Sequence, residues 1–160
     1  MTAWLVDGSN VVGARPDGWW RDRRAAAERL VVRLGALAAQ GDQVTVVFDG
    51  RPAEPDGEGA HNGITVLWAT RPGPDAADDR IVELVAADPR RVDRNVVTSD
   101  RALAARVRAL GAPVVGAGAL LGALDELDGG GSARGTPATI ASGRRWARVG
   151  RPTPDPGDAP

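Results

Sequence analysis

The sequence predicts an α/β sandwich: a central, mostly parallel sheet of about five strands with helices on both faces. Two observations carry this. Short apolar runs alternate with segments of helical period along residues 1–128, the order that builds a parallel sheet through crossover helices. Runs such as Val44–Phe48 are also β-branched and aromatic without interruption, which suits strands covered on both faces.

Ala3–Val6 reads as a first strand ending at Asp7. Trp20–Gln40 follows as a helix whose stripe is Ala27, Leu30, Leu34 and Leu37, flanked by Val31 and Ala38, with Gly41 as its stop. Val44–Phe48 is the second strand and ends at Asp49-Gly50. A polar stretch, 51–63, carries turn residues and leads to a third strand, Ile64–Trp68. Pro74-Asp75 opens a helix with Ile81, Leu84 and Val85 on its buried side. Asn95–Thr98 is the fourth strand, and Ser99-Asp100 opens a helix through Leu110 that stops at Gly111. Pro113–Val115 is the fifth strand and Ala119–Leu127 the closing helix. The run Gly116-Ala117-Gly118 before that helix resembles a dinucleotide-binding loop, but Leu121 stands where its third glycine belongs.

Composition narrows the chemistry. The 160 residues include no Cys and one His, His61, which excludes a disulfide scaffold, a thiolate zinc site, a cysteine nucleophile and a multi-histidine cage. No apolar run approaches the roughly 20 residues that span a bilayer, and Asp7 interrupts the first strand too early for a signal peptide, so the expected location is cytoplasmic. Every one of the 20 basic residues is Arg. The net charge of −1 is a sum of unlike parts. Residues 1–128 hold 15 Arg against 19 acids, a net of −4, and residues 129–160 hold five Arg against two Asp, a net of +3. The second part begins Gly129-Gly130-Gly131-Ser132 and is rich in Pro, so a folded domain at 1–128 and a flexible tail at 129–160 are expected. The tail segment Arg144–Arg151, with Trp146 inside it, suits either a salt-sensitive RNA arm or a solvated end.

The functional signal is a coincidence of positions. Asp7, Asp49 and Asp100 each stand at or just past the end of a strand, and Asp75, Asp78 and Asp79 open the helix after the third strand. Ligands of open parallel sheets sit beyond the carboxyl ends of the strands, so all four loops place acids on one rim. Each position also has an ordinary explanation: Asp75 and Asp100 as helix caps, Asp49-Gly50 as a turn. Asp78 and Asp79 lie about 100° apart on a helix, so at most one of them points directly into the site. Carboxylates sharing a rim repel unless a cation neutralises them. An oxygen-only donor set suits Mg²⁺ or Mn²⁺, ions that typically act on phosphate esters.

Four segments, in order, resemble the YacP-like branch of the NYN domain, within the PIN-like nuclease superfamily: Val6-Asp7-Gly8-Ser9-Asn10-Val11-Val12-Gly13, Val44–Gly50, Ala76–Glu83 and Val96–Arg101. The resemblance runs from residue 3 to about 125 and departs where Ala77 replaces the family's threonine. It implies a PIN-like three-layer sandwich and a metal-dependent endoribonuclease, with ribosome-associated RNA as a substrate class. By position, Asp7, Asp78 and Asp100 match the acidic metal-binding core, Asn10 the polar residue beside it, and Asp49 and Asp79 acids of less uniform role. The expected catalytic set is Asp7, Asn10, Asp78 and Asp100, with Asp49 and Asp79 as additional metal ligands. Ser9, Arg15, Ser99 and Arg101 are the expected substrate-binding residues. Arg21, Arg23, Arg24, Arg51, Arg71 and Arg80 could also reach phosphates, and Trp19, Trp20 and Trp68 could stack on bases, although such Arg usually face solvent and such Trp usually pack. The expected partner is RNA, on or off the ribosome, and no membrane. The rivals are a catalytically silent RNA-binding module on the same fold and a metal-dependent phosphatase. Against an aspartyl-phosphate enzyme of the latter kind, Ser9 stands where a second Asp is needed.

Overall fold

The structure is a computed structural model that describes residues 1–50, 58–61, 63–69 and 71–130. Its strands are β1 (Ala3–Asp7), β2 (Gln43–Phe48), β3 (Gly59–His61), β4 (Ile64–Trp68), β5 (Arg94–Val97) and β6 (Val114–Val115). Its helices are α1 (Gly8–Gly13), α2 (Arg23–Ala39), α3 (Ala76–Ala87), α4 (Arg101–Ala109) and α5 (Ala117–Gly130). The strands form one sheet in the order β3-β4-β2-β1-β5-β6, parallel throughout except for the β3–β4 pair. Helices α1, α2 and α5 cover one face, where Trp4, Val6, Val46 and Phe48 meet Val11, Leu30, Leu34, Leu37, Leu120 and Leu124. On the other face α3 and α4 bring Ile81, Val85, Leu103 and Val107 against Leu5, Val47 and Val96. The arrangement is the expected three-layer sandwich.

The uninterrupted apolar character of the central strands follows from this layering. In β1 the Trp4 and Val6 side chains enter one core and Leu5 the other, all at most 2% exposed, because successive side chains of a strand point to opposite faces. The glycine stops also fall where expected. Gly41 (φ +90°) and Gly111 (φ +89°) close α2 and α4. The Asp42 and Ala112 N–H groups then reach back to the carbonyls of Leu37 and Val107, the paired closure that needs a left-handed residue.

The structure departs from the sequence reading in four places. The sheet has six strands, because β3 forms within the polar 51–63 stretch and pairs His61 with Ile64 and Gly59 with Val66. An edge strand of three residues takes its backbone bonds from β4 and needs no apolar pattern of its own, so periodicity does not show it. The helix expected from Trp20 begins later. Trp19–Arg21 is a single 3₁₀ turn, and Asp22 caps α2 by accepting from the Ala25 N–H at 3.0 Å. Gly8–Gly13 is helical directly after β1, although Gly-Ser-Asn followed by two valines has poor helix propensity. Burial of Val11 in the α2–α5 core overrides that propensity. The closing helix, expected over Ala119–Leu127, runs Ala117–Gly130 and takes in the first two residues of the expected tail; residues 131–160, with Arg144–Arg151, and Arg51 lie outside the described residues.

Gly8 is fixed by space. A Cβ there would lie 2.5 Å from Phe48 Cε1 and 2.8 Å from Val46 Cγ2, closer than packed carbons approach. Gly8→Ala is therefore expected to cost about 1–3 kcal/mol, the usual cost of overpacking, read as a lowered melting temperature. The same substitution at Gly118, where a Cβ meets nothing within 4 Å, is expected to be near neutral.

Candidate functional site

The strand order reverses at the centre of the sheet. From β1 the chain builds outward through β2 to β4 and β3, then α3 returns it to the other side of β1, where β5 and β6 are added. Beyond the carboxyl ends of strands at such a reversal there is a crevice that no crossover covers. Asp7 ends β1 there, beside Thr98 just past β5.

Asp7 is 3% exposed. One carboxylate oxygen, Oδ1, accepts from the Asn10 N–H at 3.3 Å and so caps α1; Oδ2 accepts from the Thr98 hydroxyl at 3.0 Å. These bonds favour the ionised form, but burial outweighs them. Loss of solvation, with the charges of Asp78 and Asp49 adding to it, pushes the Asp7 pKa up to about 6. Asp78, in the first turn of α3, is likewise raised, first by burial and then by Asp100, Asp49 and Asp75, while Arg106 pulls it down. Asp7, Asp49, Asp78 and Asp100 thus share one electrostatic neighbourhood.

The loops carrying these acids are laced to one another. Thr98 Oγ1, besides donating to Asp7, accepts from the Asp100 N–H at 3.1 Å. The Asp100 carboxylate accepts from the Leu103 N–H at 2.9 Å and caps α4, so its helix-cap role and its place on the rim coexist. Asp49 Oδ1 accepts from the Ala77 N–H at 3.2 Å, tying the end of β2 to the start of α3, while the Asp49 N–H donates to Ser9 Oγ at 2.9 Å. Asn10 Oδ1 accepts from the Ser99 N–H at 2.8 Å, and Ser99 Oγ accepts from the Ala117 N–H at 2.8 Å. Ser9 and Asn10 so spend acceptor capacity on backbone, and the groups they have for donating are a hydroxyl proton and an amide NH₂.

The remaining expected site residues lie differently. Asp79 forms ion pairs with Arg71 and with Arg106, the latter at 2.9 Å, so adjacent carboxylates on α3 stand in opposite surroundings. Arg15 is held in a two-pronged pair with Asp125 of α5, at 2.6 and 3.2 Å, and Arg33 binds Asp125 and Asp128. That contact keeps the Asp125 carboxyl below the usual range. Arg101 is exposed at the start of α4. Trp19 packs edge-on against Trp20, with Arg23 over its ring, and Trp68 packs against Phe48. Thr98, the residue joining Asp7 to Asp100, is not among the residues the sequence reading selects. Its only sequence signal is a hydroxyl at a strand end where a buried apolar residue would otherwise serve.

The donor chemistry fits a hard divalent cation: carboxylate oxygens only, two of them on groups that resist ionising among their neighbours. Among the described residues, no three acidic or imidazole groups stand gathered closely enough to clasp an ion as they are.

Asp7 also sets a pH dependence. In the unfolded chain its carboxyl ionises near the ordinary value of 3.8, in the folded chain at about 6. The folded state therefore keeps a proton that the unfolded state has released, and stability falls as pH rises through that window. Above it, the ionised buried group leaves the fold less stable by about 3 kcal/mol than a neutral one would. Without divalent cations, Asp7→Asn is expected to melt above the wild type near neutral pH, with the gap closing at about pH 4; a gap independent of pH would contradict the assignment.

No curated protein matches the chain. Among solved structures it is similar to Rae1 (YacP) from Bacillus subtilis in two crystal structures, one of a point mutant, both at 23% identity and a TM-score of 0.67. The alignments cover 94% of this chain and 93% of the mutant's, and 93% and 87% in the other structure. That likeness is one of fold. The model of the YacP-like NYN domain matches residues 4–134. With four-fifths of its length matched, and its acids at the switch point of a PIN-like sandwich, the chain belongs to the YacP-like NYN domain family.

Proposed function

We propose that the chain is a metal-dependent endoribonuclease that hydrolyses phosphodiester bonds of ribosome-associated or messenger RNA in the cytoplasm. The observation carrying this is that Asp7, Asp49, Asp78 and Asp100 come to the sheet's switch point in one electrostatic neighbourhood, where burial first and neighbouring acids second raise both Asp7 and Asp78. Asp7, Asp49 and Asp100 each also accept from a backbone N–H; a cation-dependent reaction accounts for their convergence with Asp78, which local bonds alone do not require. The family match and a fold shared with Rae1 agree with it. Among the described residues no helix is long and apolar enough to cross a membrane.

Asp7, Asp78 and Asp100 would hold Mg²⁺ or Mn²⁺, with Asp49 beside them. Bound there, the ion supplies a Lewis acid for the phosphoryl oxygens and lowers the pKa of water. The chain's own groups do the rest. The Thr98 hydroxyl and the Asn10 N–H fix the two oxygens of Asp7, so its carboxylate cannot rotate away when it ionises. The Asp49–Ala77 bond holds the start of α3 at the end of β2 and so sets the position of Asp78. Ser9 and Asn10 present donors on the first turn of α1, within the same crevice, for a substrate phosphate. Hydrolysis in line leaves a 5′-phosphate and a 3′-hydroxyl.

Single-turnover cleavage of RNA and DNA panels in Mn²⁺ tests the reading. Asp7→Asn, Asp78→Asn and Asp100→Asn are each expected to lose activity by 100-fold or more, on the order of the loss when a group central to charge stabilisation is removed. Undiminished cleavage by Asp7→Asn would sink the assignment, and RNA binding by the wild type without cleavage would favour a silent binding module. Thr98→Val, which removes the hydroxyl that orients Asp7 and takes the Asp100 N–H, is expected to cost about 10- to 100-fold.

A further inference from the structure

Asp78 and Asp79 are neighbours in sequence with opposite charge environments. Asp78 feels the charges of Asp100, Asp49 and Asp75, with Arg106 opposing them, whereas Asp79 is held by Arg106 and Arg71 together. The three residues come from separate elements: Arg71 from the loop between β4 and α3, Asp79 from the first turn of α3, Arg106 from α4, which packs beside α3. Two guanidinium groups around one carboxylate leave a surplus positive charge next to a surplus of negative charge. Stability does not account for it, since exposed ion pairs are worth little and the side chains of Arg71 and Arg106 are 58% and 45% exposed.

We propose that Arg71 and Arg106, held by Asp79, form a phosphate-gripping subsite for the RNA strand beside the Asp7–Asp78–Asp100 cluster. The proposal rests on the nuclease reading and names how its substrate is seated. An RNA strand approaching four carboxylates is repelled, and an adjoining cation pair, of which Arg106 lies within electrostatic reach of Asp78, offsets that repulsion. Each guanidinium has five N–H donors in a planar fork. The contacts with Asp79 use part of that fork and orient the rest, and forks of this shape take phosphate oxygens two at a time. Asp79 is on this account a positioning residue that acts through the two arginines, not a metal ligand.

The experiment uses the full-length chain and a fluorescent single-stranded oligoribonucleotide, with binding followed by anisotropy in chelator across a salt series. Arg71→Gln and Arg106→Gln are each expected to reduce the slope of log affinity against log salt by about 0.7, one phosphate contact on a single strand. In Mn²⁺ cleavage, both are expected to raise KM more than they lower kcat. Arg106→Lys is expected to keep the slope but not the wild-type KM, because an ammonium cannot pair with phosphate two-pronged. Asp79→Asn is expected to lower kcat/KM, leaving the salt slope and the half-saturating Mn²⁺ concentration unchanged. Wild-type slopes and KM in both Gln variants would overturn the subsite, and so would an Asp79→Asn shift in the Mn²⁺ requirement. Chelator binding keeps the two readings apart. Arginine-dependent slopes without any cleavage would overturn the nuclease and leave the grip, while normal cleavage with unaltered slopes would do the reverse.

Discussion

A carboxylate buried at the end of the central strand is the constraint around which this molecule is arranged. Ionised, Asp7 needs partners, and the sheet provides them from both sides: the first turn of α1 gives an N–H, and the residue past β5 gives a hydroxyl. Neither compensates fully for lost water, as the upward displacement of its pKa shows. The fold therefore carries an electrostatic strain at its centre that a divalent cation would relieve. Around it the lacing is local and dense. Thr98 serves Asp7 and the Asp100 backbone at once, Asn10 serves Ser99, Ser9 serves Asp49, and Asp49 serves the start of α3. Displacing one of these loops would disturb the others.

The strand order explains why the strain falls where it does. Adding β2 and β4 on one side of β1 and β5 on the other opens the crevice where β1's carboxyl end is flanked by two outgoing connections. Gly8 lets the chain turn into α1 with Phe48 pressed against its α-carbon, so Asp7 can end a strand and cap a helix together. Polar function and close packing meet within two residues.

Much of this was legible in the residues. Covered strands announce themselves by unbroken apolar runs, Gly41 and Gly111 mark closures that need a left-handed residue, and an acid after each of several strands marks a shared rim. Other features leave no such trace. β3 borrows its bonds from β4, and α1 is helical because Val11 is buried, not because Gly-Ser-Asn favours a helix. The fork of Arg15 lies against Asp125, 110 residues away, and pairings across such distances have no local signature. Thr98 was hidden because a threonine at the end of a strand is unremarkable until its hydroxyl is seen between two acids.

The split between Asp78 and Asp79 shows how a helix start can serve two electrostatic purposes. Successive residues differ by about 100° in direction, so one turn presents one carboxylate to the acidic crevice and the next to a pair of arginines. The proposed nuclease, working on a polyanion, needs both. Acids concentrate the cation that chemistry requires, but they repel the substrate, and a basic surface at the same place would discharge the acids. Asp79, one residue further round α3 than Asp78, draws Arg71 of the preceding loop and Arg106 of α4 to itself, so the basic pair and the acidic crevice adjoin at one helix start, as the proposed seating of the strand requires.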